Sequence, residues 1–176
     1  MPTDKPGPAA RIAYSLYGIY ALVVFALGVL ATVLAVTITP GQERRRRVVA
    51  RIIRATFLSA GIRPSVRGLE HLPAGPCVVV ANHASYVDGL LLKAFLPPRL
   101  SFVIKGEMRN NPLVHFVLRR SGARFVERFG RGTRDVREFV RAARDGAALG
   151  FFPEGTFIKT PGILRFRPGA FLAAIK

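Results

Sequence analysis

The chain has 176 residues, room for one domain and little more, and its 27 Lys+Arg against 10 Asp+Glu give a formal charge of +17. Half of it is hydrophobic and the mean hydropathy is +0.29, high for a soluble domain, while a single cysteine, Cys77, excludes an internal disulfide and fits a reducing compartment. Such a charge calls for an anionic partner, either nucleic acid or an anionic membrane surface.

Residues 1–11 open with "MPTDKPGPAA", a proline-rich stretch expected to be disordered. From Ile12 to Ile38 there follow 27 positions without a charge. As a helix they reach roughly 40 Å, enough to cross a hydrocarbon core of ~30 Å with tilt. The stretch is therefore expected to be a retained membrane anchor helix. A cleaved signal peptide and a buried core helix fit less well, since a signal's apolar region stops near ~15 residues and no clear A-x-A site follows. "TPG" at residues 39–41 is a stop. Residues 42–60 then read as a basic amphipathic juxtamembrane helix carrying Arg44, Arg45, Arg46, Arg47, Arg51 and Arg54. It is expected either along the headgroups or packed on the following domain. Its position beside the anchor puts that domain on the cytoplasmic side of the inner membrane by the positive-inside bias and favours anionic lipid over nucleic acid.

Residues 61–176 alternate. A short strand and turn are expected over 63–73, and strands over 77–81, 100–105, 123–127 and 147–152. Helices are expected over 86–95, 112–120 and 133–145, the last closed by Gly146, with another starting near Pro168. This is the pattern of an α/β domain, a largely parallel sheet flanked by helices, whose sites gather at the carboxyl ends of strands.

Polar residues collect at those ends. "VVVANHASYVDG" at 78–89 finishes a β-branched run with Asn82, His83, Ser85 and Asp88. "SYVD" has the form of a capping box, which alone accounts for Asp88 as a helix-start residue. His83 has no propensity reason to stand in a strand–helix turn. A neutral imidazole there accepts a proton, and a carboxylate fixes its tautomer and stabilises the imidazolium. Five residues apart on one helix the two would face different ways, so pairing requires His83 in the turn and Asp88 in the first helical turn. His71 and His115 stand in no motif, and His115 in "PLVHFVL" reads as a packed helix residue.

"NHASYVDG" resembles the Asn-His-x-x-x-x-Asp signature of the glycerolipid acyltransferases, the 1-acyl-glycerol-3-phosphate acyltransferase family. "GARFVER" at 122–128 resembles that family's second block, Gly-x-x-Phe-x-x-Arg, and "FFPEGT" at 151–156 its third. Three blocks in order, each at a predicted strand end, form a strong signal over about residues 60–176. The resemblance implies His83 as general base on a free hydroxyl of a lysophospholipid acceptor, with Asp88 orienting it. The donor would be an acyl thioester of coenzyme A or acyl carrier protein, with no metal, no cofactor and no acyl-enzyme. It implies Arg128 as the grip on the acceptor phosphate, with Asn82, Glu154, Gly155, Thr156 and Lys105 as further substrate-binding candidates. Glu154 is there expected to orient Arg128 or to accept from glycerol hydroxyls, since a carboxylate does not belong against a phosphate.

The family's fourth, proline- and valine-rich strand block has no counterpart before Lys176, so a C-terminal part of the domain is expected to be missing, with a sheet edge and an acyl-pocket wall. Three readings stand at this point: a membrane-anchored acyltransferase making phosphatidate, an acyltransferase of another lysolipid such as lyso-ornithine lipid, and a truncated lipid-binding module without catalysis. A membrane-tethered nucleic-acid binder rests on charge alone.

Overall fold

The computed structural model describes residues 7–126, 133–156 and 162–175, with 133–136 as backbone only. It opens with α1 (Pro8–Ile38), which has proline in its first turn, where the missing N–H costs nothing. Among the described residues α1 is the one helix long and apolar enough to cross a membrane, and most of its large side chains are exposed.

α2 (Gln42–Ser59) runs back along α1. The Tyr17 hydroxyl donates to the Ala60 carbonyl at 2.8 Å and that of Tyr20 to the Ser59 carbonyl at 2.6 Å. Between them Gly28 lets the helices close: a Cβ there would sit 2.3 Å from Thr56 Oγ1, whose hydroxyl is held by the Ile52 carbonyl.

The arginine block divides between solvent and protein. Arg44, Arg47 and Arg51 are exposed, whereas Arg45 and Arg46 turn inward. Arg45 reaches the carbonyls of Thr39 and Arg120, and Arg46 those of Arg99, Ser121 and Gly122 together with Ser101 Oγ. The carbonyls at 120–122 are the unpaired end of α4 (Pro112–Arg120), where a helix carries partial negative charge. Arg120 in turn donates to Val36 and Thr37 at the end of α1, and Arg54 to Ala94. The helix is packed on the domain through Arg45, Arg46 and Arg54, with Arg44, Arg47 and Arg51 left exposed.

The sheet has four parallel strands: β1 (Val78–Val80), β2 (Ser101–Lys105), β3 (Arg124–Val126) and β4 (Leu149–Phe151), in the order β1-β4-β2-β3. Both faces are covered, as parallel sheets require. Leu149 and Phe151 pack with Phe139 and Ala142 of α5 (Thr133–Arg144) and with Ala170 and Ala173 of α6 (Gly169–Ile175). Leu100, Phe102 and Ala148 face Leu92 of α3 (Tyr86–Phe95), with Leu96 just beyond it. Gly150 lies opposite Phe102 in register, and a Cβ there would meet the ring at 2.7 Å.

The α/β class follows expectation, and the elements do so with trimmed ends except in two places: α1 starts at Pro8, inside the segment expected to be disordered, and 63–73 differs. That stretch holds no strand but irregular chain and a 3-10 turn at Leu69–His71. Pro64 and Pro73 offer no N–H to a ladder, and Gly68 turns the chain at φ +78°.

Replacing Gly28 by valine drives two methyls into a fixed threonine. The expected loss is about 1–3 kcal/mol of stability, read from thermal unfolding in detergent. Lys93, half-buried with Nζ 3.2 Å from the Ser121 carbonyl, has its pKa lowered to about 8 by burial and then by Arg46. A lysine whose pKa is depressed on folding binds fewer protons folded than unfolded, so stability rises from about pH 8 towards the unfolded value of about 10.4. Lys93→Met is expected to remove that rise, measured as denaturant midpoint against pH.

Candidate active site

β1 breaks off because its next residues leave the ladder in one step. The Ala81 N–H still bonds to the Phe151 carbonyl at 3.0 Å, and α3 begins at Tyr86. The four residues between them form the turn that carries His83. Ser85 is the N-cap, accepting from the Val87 N–H at 3.2 Å, and Asp88 answers from the third helical position. Asp88 Oδ2 accepts from the N–H groups of Ala84 at 2.7 Å and Ser85 at 2.8 Å, and Oδ1 takes the Ser85 hydroxyl at 3.1 Å.

The same Oδ2 lies 3.1 Å from His83 Nδ1. Asp88 thus closes the capping box and holds the imidazole at once; neither reading of the sequence displaces the other. A carboxylate only accepts, so the paired nitrogen carries a proton, and in the neutral imidazole the lone pair then stands on Nε2. Partial burial works against the Asp88 charge, but the N–H groups of Ser85 and Ala84, the imidazole and the Ser85 hydroxyl outweigh it and hold the pKa below the usual carboxylate range.

Two further groups fix His83, both from the end of β4. The Phe152 ring stacks on the imidazole at 4.1 Å between centroids, 18° from parallel. Glu154, 3% exposed, accepts the His83 backbone N–H on one oxygen at 2.9 Å and the Leu164 N–H on the other at 2.8 Å. Those two donors, Leu164 first, lower its pKa against the opposing effect of burial. The carboxylate that looked misplaced beside a phosphate is a clasp joining two loops, and its described bonds require neither Arg128 nor a glycerol hydroxyl.

Gly155 has φ +66°, and a Cβ there would meet Arg167 Nε at 2.7 Å. Arg167 lies across the turn, donating to the Glu154 carbonyl at 3.3 Å. Thr156 is half-buried next to it, and Asn82 is exposed beside His83. Lys105 ends β2, two strands from β1, at the same carboxyl edge. Arg128 lies outside the described residues. His115 packs edge-on to Phe125 at 5.2 Å, and His71 is exposed beside Glu70, so neither joins the site. Among the described residues no group of His, Cys, Asp and Glu is placed to hold a metal ion. Phe152 is the contributor that sequence reasoning overlooked; the phenylalanine before the proline in "FFPEGT" was its only signal.

The parallel sheet with a His–Asp pair at its carboxyl edge defines an α/β domain with a candidate acid–base site, and comparison with known proteins gives its family. Residues 63–176 match the acyltransferase family, and the chain belongs to it. It is 31% identical over 97% of its length to the chloroplastic 1-acyl-sn-glycerol-3-phosphate acyltransferase BAT2 of Brassica napus, covering 53% of that protein. It is 36% identical over 64% of its length to the lyso-ornithine lipid O-acyltransferase of Rhodobacter capsulatus, covering 40% of it. The crystal structure of the 1-acyl-sn-glycerophosphate acyltransferase of Thermotoga maritima superposes with a TM-score of 0.70 at 24% identity, over 94% of this chain and 70% of that one. The chain thus spans about half the length of the curated relatives it matches.

Both site carboxylates have depressed pKa values, so each contributes stability that is present above the unfolded value near 4 and lost as pH falls through the folded one. Acid titration of the folded protein is expected to show a stability drop below about pH 4 that is shallower in Glu154→Gln, followed by near-UV circular dichroism.

Proposed function

We propose that the chain is a membrane-associated O-acyltransferase that moves a fatty acyl group from an acyl thioester to the free hydroxyl of a lysophospholipid, 1-acyl-glycerol-3-phosphate in the first instance, giving phosphatidate. The observation that carries this is the 3.1 Å contact between Asp88 Oδ2 and His83 Nδ1 at the end of β1, which leaves Nε2 as a base. Nε2 takes the proton of the acceptor hydroxyl as its oxygen attacks the thioester carbonyl. The tetrahedral intermediate then expels the thiolate, which recovers the proton from the imidazolium. Acid and base are the same ring, and no group of the protein is acylated.

Phe152 and Glu154 are positioning residues in this scheme, one holding the ring plane and the other the backbone behind it. Lys105 and Arg128 supply positive charge for the acceptor phosphate. Of the two, Lys105 is the one within the described residues, at the end of β2, two strand spacings of about 4.8 Å from β1.

The α1–α2 pair suits attachment from the cytoplasmic side of the inner membrane. Exposed Arg44, Arg47 and Arg51 on the returning arm would each cost ~2.5–3.5 kcal/mol at mid-bilayer, whereas anionic headgroups attract each by ~1 kcal/mol. The pair is therefore read as lying in one leaflet, α1 inward and α2 at the surface.

Transfer is tested with the full chain on anionic vesicles, following thiol release from acyl-coenzyme A and acyl carrier protein in turn, with lysophosphatidate or lyso-ornithine lipid as acceptor. His83→Ala is expected to lower the acceptor-dependent rate by about 10²–10⁴ and Asp88→Asn to lower kcat more than it changes KM. Thiol release that survives His83→Ala unchanged rejects the mechanism. Acceptor binding without turnover in every variant favours the lipid-binding module instead.

A further inference from the structure

A second polar cleft lies at the other end of the sheet from His83. It encloses about 340 Å³ and is lined by Arg46, Arg99, Arg124, Ser101 and the chain around Gly75 and Gly146–Ala148. Apart from Arg46 of α2, these positions precede or open β1, β2, β3 and β4, so the cleft sits at the amino ends of the strands. Among the described residues its lining contains three guanidinium groups and no carboxylate.

Two of the arginines are held in place by carbonyl oxygens. Arg46 spends its N–H groups on carbonyls and on Ser101 Oγ, and Arg99 on the carbonyls of Gly75 and Pro73. Hydrogen bonds to carbonyls satisfy donors without cancelling charge. Ser101, 6% exposed, accepts from Arg46 and so keeps its own O–H to donate. Arg124, about a third exposed, meets Glu138 at a loose 3.6 Å among the described residues. Burial first, and Arg124 next, depress the Arg46 pKa, with Glu43 acting in the opposite sense. The acids nearby, Glu138 and Asp145, line an adjoining cleft of about 290 Å³ that shares the Arg124 wall. Three guanidinium groups lining a cavity of this size, with a hydroxyl donor among them, suit a tetrahedral oxyanion of more than one charge.

We propose that this cleft is a second anion site, distinct from the catalytic mouth, that takes a phosphate group and by doing so ties α2 to the sheet through Arg46. The phosphate belongs either to a lipid headgroup or to a free phosphorylated small molecule. The experiment below tells the two apart.

Arg124→Gln is the informative variant, because its one described partner is distant and its loss leaves the fold in place. Arg44→Gln, exposed on α2, is the charge-matched control. In uncharged detergent, sodium phosphate at the ionic strength of a sodium chloride reference is expected to raise the unfolding temperature of wild type and Arg44→Gln. In Arg124→Gln the phosphate affinity should fall about tenfold. A parallel arm measures sedimentation with phosphatidylcholine vesicles with and without phosphatidylglycerol. A phosphate effect lost in Arg124→Gln without a vesicle difference between the two variants assigns a free phosphorylated ligand. Weaker binding of Arg124→Gln than of Arg44→Gln to the anionic vesicles assigns a headgroup. Equal behaviour of the two variants in both arms overturns the site. None of these readings uses acyl transfer, so they stand or fall apart from the catalytic proposal.

Discussion

One carboxylate sets the geometry of the site. Asp88 must end a strand-to-helix turn by capping two backbone N–H groups, and it must do so with the oxygen that also meets the imidazole. Shared use of that oxygen joins the helix cap to the pair. The cap fixes the carboxylate, the carboxylate fixes the tautomer, and a depressed pKa keeps it ionised at neutral pH. Local folding chemistry and catalytic chemistry are here the same few bonds.

A comparable economy governs the arginines. A block of four in a row beside an apolar helix suggests headgroups, but Arg45 and Arg46 serve the exposed carbonyl end of α4 while Arg120 of α4 serves that of α1. Each helix end is neutralised by a neighbour's cation. The hairpin is therefore joined to the domain by polar bonds as well as by packing, and the arginines left outside, Arg44, Arg47 and Arg51, are fewer than composition suggested.

Much of this was legible in the sequence because periodicity and punctuation agreed. Ser85 with Asp88 placed the start of α3, and the β-branched run before Asn82 placed β1. The expected strand at 63–73 failed because alternation was read through two prolines and a left-handed glycine. The direction taken by Glu154 was not legible. Its partners, the N–H groups of His83 and Leu164, are backbone atoms 71 and 10 residues away, and no residue type announces a backbone donor. The inward turn of Arg46 was hidden for the same reason, since three of its four acceptors are main-chain carbonyls.

The alignment of β1 with β4 has a consequence for how exacting this site is. Val80 stands opposite Phe151, and the residues just past that rung, His83 on one side and Phe152 with Glu154 on the other, meet because of it. The two strands are three residues each, so few rungs secure the match. A slip of two residues keeps every side chain on its own face yet displaces the partners by about 6.6 Å, twice the length of a hydrogen bond. Such a misthreaded molecule would look folded, with its helices and interior intact, and be chemically silent.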